Sequence, residues 1–112
     1  MEQEQRVQLI IDILDSKKAE NIETYTLTGK GYIADRVIVV TALNNKHSGA
    51  LLGHLKDDLK PHGEEFVRTE EDGDWTIVDL GDILIHIMTQ EYREKYTLDD
   101  FLDTFKAPEE LS

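Results

Sequence analysis

The run Arg36-Val37-Ile38-Val39-Val40-Thr41 constrains this chain more than any other stretch. β-Branched residues are stiff about χ1 and favour extended backbone. Its central residues do not alternate with polar ones, so both faces of the strand must be covered. That places the run at the centre of a sheet with packed layers on either side. The covering material is legible. Val7, Ile10, Ile11 and Leu14 repeat at helical spacing within 4–18, and a helix there ends near Lys17-Lys18. Leu51, Leu52, Leu55 and Leu59 form a second stripe within 46–60, with Asn44 or Asn45 as its cap and Pro61-His62-Gly63 as its stop.

The other segments fit an α/β domain with a mixed sheet of about five strands flanked by helices. Ile22, Thr24, Thr26 and Thr28 alternate with Glu23, Tyr25 and Leu27, which predicts a strand before a turn at Thr28-Gly29-Lys30-Gly31. A short strand is expected at 64–68 around Phe66 and Val67, and an acidic loop at 69–74. From Trp75 to Met88 the pattern is strand, tight turn at Leu80-Gly81, strand. One or two helical turns follow at 89–95. Thr97-Leu98-Asp99-Asp100 reads as the capped start of a last helix, with Phe101, Leu102 and Phe105 as its apolar side. The 112 residues suit one domain, 1–112, with 105–112 as a loose tail.

The chain carries 24 acidic residues against 12 Lys and Arg, a formal net charge of −12. Phosphate backbones attract the opposite sign, so little direct nucleic-acid binding is expected. An acidic surface steers instead toward a basic protein. There is no cysteine, hence no disulfide or thiolate metal site. No apolar run approaches the roughly 20 residues of a membrane span. The polar stretch Met1 to Arg6 is unlike a secretory signal, and a cytoplasmic location is expected.

Catalytic signals are weak. Asp79 and Asp82 lie three apart across the hairpin turn and could hold magnesium, but Asp beside Gly is also ordinary turn chemistry. His47, His54, His62 and His86 form no H-x-x-x-H or HExxH motif. Ser48 sits in no nucleophile elbow, and Thr28-Gly29-Lys30-Gly31 lacks phosphate-loop spacing. No catalytic residue, metal or cofactor is therefore assigned. Strand alternation puts His86 with Leu84 and Met88, either as a structural histidine or as a polar anchor in an apolar binding face. Trp75 is core or an interface anchor. With Tyr92, Tyr96 and Phe101 nearby in sequence, it could build an aromatic patch with an acidic rim. Such a patch suits a basic protein partner, or a second copy in a homodimer.

The segment Asp74 to Met88, followed by Arg93, Tyr96 and Leu98, resembles the signature of the ribosomal silencing factor (Iojap) family. Asp35 before a hydrophobic strand and Lys46-His47 opening a helix match in order, so the resemblance runs from about residue 7 to 103. It implies a fold similar to nucleotidyltransferases, although the Gly-Ser plus Asp-x-Asp pattern of such enzymes is absent. It implies a translational repressor that binds the large ribosomal subunit at large-subunit ribosomal protein 14. There it blocks joining of the small subunit when nutrients are scarce; organellar relatives act in large-subunit assembly. Carried over by position, the partner-binding residues are Trp75, Asp79, Leu80, Asp82, His86, Tyr96 and Leu98. The sequence departs from the family pattern at Ala42, Lys46 and Leu102, where Gly, Arg and Trp are usual. The alternative is a magnesium-dependent nucleotidyltransferase-like enzyme using Asp79 and Asp82.

Overall fold

The computed structural model describes residues 2–105. The elements run α1 (Gln3–Ser16), β1 (Glu20–Thr26), β2 (Arg36–Ala42), α2 (Asn45–Leu59), a 3-10 turn (Lys60–His62), β3 (Arg68–Glu70), β4 (Trp75–Asp79), β5 (Ile83–Thr89), α3 (Gln90–Tyr96) and α4 (Leu98–Asp103). Five strands form one mixed sheet in the order β1-β2-β5-β4-β3. β2 and β5 are parallel neighbours, and every other pairing is antiparallel.

All seven residues of β2 and all seven of β5 are buried, as the unbroken apolar runs require. Ile38, Val40, Ile83, Ile85 and Ile87 point to the face covered by α1 and α2. Val37, Val39, Leu84 and Met88 point to the other face, under Leu98 and Leu102 of α4. In α1 the buried stripe is Val7, Ile10, Ile13 and Leu14, so Ile13 takes the place expected for Ile11. Asn44 caps α2: its Oδ1 accepts the His47 N–H at 2.8 Å. His47 Nδ1 accepts the Leu43 N–H, so Nε2 carries the proton and donates to the Lys17 carbonyl at 2.8 Å. One histidine thus ties the start of α2 to the end of α1.

Two expectations change. The edge strand lies at Arg68–Glu70: it shares only Arg68 with the strand expected at 64–68, runs into the stretch read as acidic loop, and leaves out Phe66 and Val67. Phe66 packs against the core, and Val67 is exposed. An edge strand is specified by its hydrogen bonds to β4, and charged side chains there are compatible with exposure. Thr97 does not cap α4 through its hydroxyl. It adopts a left-handed conformation (φ 46°) and turns the chain between α3 and α4. Phe105 packs on Tyr32, with ring centroids 5.0 Å apart. Of the expected tail, residues 106–112 lie outside the described residues. Among the described residues no helix is long and apolar enough to cross a membrane.

Candidate functional site

The antiparallel register of β4 and β5 pairs Trp75 with Met88, Ile77 with His86 and Asp79 with Leu84. These residues share the sheet face that carries α3 and α4. Near Trp75 the cover is incomplete. Trp75, Ile77 and Tyr92 are half-buried, and Tyr96 is 46% exposed. Together with Glu70 and Asp72 they line an open groove of about 380 Å³. The Trp75 and Tyr96 rings are 5.4 Å apart, and those of Tyr92 and Tyr96 are 5.3 Å apart. Glu70 and Asp72 are exposed and put carboxylates on the rim, that of Glu70 paired with Arg68.

His86 lies beneath this groove, 5% exposed. The Trp75 indole N–H donates to His86 Nδ1 at 3.0 Å, which fixes the imidazole as its neutral Nε2–H tautomer. Nε2 is buried and has no partner among the described residues. Burial pushes the imidazole pKa down from 6.5 to about 4, against a smaller opposing effect of Asp99. His86 therefore holds Trp75 in place from below; it is not a surface anchor. The unfolded chain takes up this proton as pH falls through 6.5, but the native state resists until about 4. Stability is thus full above pH 6.5 and is expected to fall by about 3 kcal/mol across that window. Denaturant titrations at pH 7, 5 and 4 check this. In His86→Leu the loss over the same window should shrink toward zero.

The platform is fastened by Arg93. It forms two bonds to Asp99, both 2.9 Å, and donates to the Asn21 carbonyl and to Thr41 Oγ1. Tyr25 donates its hydroxyl to the same carboxylate at 2.5 Å. Arg93 and then Tyr25 hold the Asp99 carboxyl below its usual pKa, against burial. This clamp joins α3 and α4 to β1 and β2, and so sets where Tyr92 and Tyr96 stand.

The seven residues carried over from the resemblance do not gather in one place. Trp75, His86, Tyr96 and Leu98 belong to the aromatic end, although Leu98 is buried in the core. Asp79, Leu80 and Asp82 sit at the turn end of the hairpin. The length of β4 (Trp75–Asp79) separates the two ends by roughly 13 Å. There the Asp79 carboxylate accepts the Gly81 N–H at 2.7 Å, closing the turn where Gly81 has φ 97°. Leu80 is buried. Asp82 receives Arg6 at 2.7 and 2.9 Å and Gln3 at 2.9 Å. Arg6 holds the Asp82 carboxyl below its usual pKa. These are fold contacts. Phe101 also leaves the expected patch: it packs on Tyr32 and Phe105.

Sequence reasoning missed the Tyr25–Asp99–Arg93 clamp and the Arg6–Asp82 bond. Neither has a local signal, because 74 and 76 residues separate Tyr25 from Asp99 and Arg6 from Asp82.

A family model described as "Ribosomal silencing factor during starvation" matches residues 1–110. The chain belongs to the ribosomal silencing factor family. A Haemophilus influenzae relative named "Ribosomal silencing factor RsfS" is 32% identical over 95 residues, covering 83% of this chain and 93% of its own. A crystal structure of a Chromobacterium violaceum protein superposes with a TM-score of 0.86 at 29% identity, over 91% of this chain and 87% of its own. A mouse relative named "Mitochondrial assembly of ribosomal large subunit protein 1" is 24% identical over 98 residues, covering 83% of this chain and 43% of its own. On the sheet face under α3 and α4 the aromatic groove leaves large rings uncovered, and Phe101, beside Tyr32 and Phe105, is a second exposed ring there.

Proposed function

We propose that this ribosomal silencing factor is a translational repressor that docks on the large ribosomal subunit at large-subunit ribosomal protein 14. The observation that carries the reading is the half-covered groove of Trp75, Tyr92 and Tyr96 with Glu70 and Asp72 on its rim. Aromatic rings supply buried contact at low conformational cost, and rim carboxylates steer a basic partner. The mechanism is steric. A body of 41 × 34 × 22 Å seated on the subunit-joining face keeps the small subunit away. No cofactor or catalytic residue enters, nucleic-acid contact is minor, and the site of action is the cytoplasm. Nutrient limitation is when such a block is useful. A free homodimer through the same groove would compete with docking.

Magnesium-dependent nucleotidyl transfer through Asp79 and Asp82 has less support. Asp79 is engaged by the turn and Asp82 by Arg6. The test of docking is co-sedimentation with purified large subunits at moderate salt, followed by addition of small subunits. Binding together with reduced formation of whole ribosomes is the expected result. Failure to co-sediment overturns the reading.

A further inference from the structure

Lys95 stands out among the cations of this acidic chain. Its Nζ lies 5.9 Å from the Tyr92 ring centroid and 5.4 Å from that of Tyr96, so one ammonium covers two rings. It makes no ion pair among the described residues, whereas Arg6, Arg36, Arg68 and Arg93 all do. Both of those rings line the groove in which the Trp75 ring stands 5.4 Å from Tyr96 and Glu70 and Asp72 hold the rim. Electron-rich ring faces and two carboxylates thus line one groove, a cation already sits on two of its rings, and Arg68 already pairs with Glu70 on the rim. An exposed cation–π contact of this kind is weak and easily exchanged.

We propose that the groove is a receptor for one arginine side chain of the docked protein, and that Lys95 is the placeholder it displaces. This rests on the docking reading above and names the chemistry of its central contact. Arginine fits better than lysine. Its planar guanidinium stacks on tilted rings while its edge donates in a fork to a carboxylate, which an ammonium cannot do.

The probe is a blocked Gly/Ser peptide with three arginines, compared with its citrulline counterpart, which keeps shape and loses charge. Trp75 is the only tryptophan, so its fluorescence reports on the groove directly. The arginine peptide should perturb Trp75 and the citrulline peptide should not. Lys95→Ala should tighten the arginine peptide by about two- to fivefold, the worth of one exposed cation–π contact. Glu70→Gln with Asp72→Asn should weaken it by at least a similar factor. Lys60→Ala removes the same charge beyond the end of α2 and should change affinity little. Equal binding of both peptides, or equal tightening by Lys60→Ala and Lys95→Ala, overturns the proposal. Co-sedimentation of the same proteins with large subunits separates the two claims. Wild type that co-sediments but shows no arginine-dependent Trp75 signal removes the receptor and leaves docking standing. Wild type that shows the signal without co-sedimenting removes docking and leaves a receptor for another arginine-bearing protein.

Discussion

Trp75→Ala is expected to weaken docking on the large subunit by about 2–4 kcal/mol, roughly 30- to 1,000-fold in Kd. The indole is the largest ring in the groove, it contacts Tyr96, and its N–H is held by a buried His86. A fixed aromatic anchor loses little conformational freedom on binding, which is why its removal costs so much. Trp75 also packs on the core between the sheet and α4, so the variant will lose some stability as well. Tyr96→Ala separates the two effects, because that ring is 46% exposed. It should cost about tenfold in docking while the thermal midpoint hardly moves. Asp79→Asn, at the turn end, should dock normally. Co-sedimentation beside circular-dichroism melts reads all three. Normal docking by folded Trp75→Ala would place the interface elsewhere.

Arg6→Ala is expected to destabilise the fold by about 2–4 kcal/mol. The guanidinium forks to Glu64 at 2.7 and 2.9 Å and to Asp82 at 2.7 and 2.9 Å. The Glu64 side chain is only 7% exposed, and the Arg6 side chain 21%. Deleting the cation leaves two neighbouring carboxylates partly desolvated and unpaired. A fully buried pair broken this way costs about 3–5 kcal/mol, and the exposure of Asp82 lowers that. For a chain of this size the thermal midpoint should drop by roughly 10–20 °C. The pH dependence has a definite sign. Arg6 depresses the Asp82 pKa, so its contribution is present above the ordinary value of 3.8 and is lost as pH falls through the depressed one. In Arg6→Ala the Asp82 part should shrink, leaving the acid loss that belongs to the Arg93-clamped Asp99 and the higher window that belongs to His86. Urea titrations across pH 3–7 resolve both; an Arg6→Ala protein as stable as wild type would show the network to be idle.

Most of the architecture was legible because it depends on local pattern. Unbroken apolar runs located both central strands, period-3.6 spacing located both long helices, and Gly81 marked the hairpin turn. The groove was half legible. Trp75, Tyr92 and Tyr96 could be suspected from their composition and nearness in the chain. Their convergence could not, because it depends on the left-handed turn at Thr97 and on Arg93 gripping Asp99, Asn21 and Thr41. The edge strand β3 was misplaced for a related reason. Its residues are chosen for solvent, and only β4 tells them to be a strand.

By itself, then, the amino-acid order determined a mixed sheet between two helical layers, and the Trp75 to Met88 hairpin within it. Hydrophobic periodicity acts over a few residues and can be read along the chain. Only the tertiary structure decided that the hairpin has two ends with different work. Arg6, from the first helix, locks Asp82 at the turn end into the fold. His86 and α3 leave Trp75, Tyr92 and Tyr96 half-covered at the other. Those assignments arise from contacts between residues far apart in sequence, where burial and pairing are settled by packing and no local spacing records them.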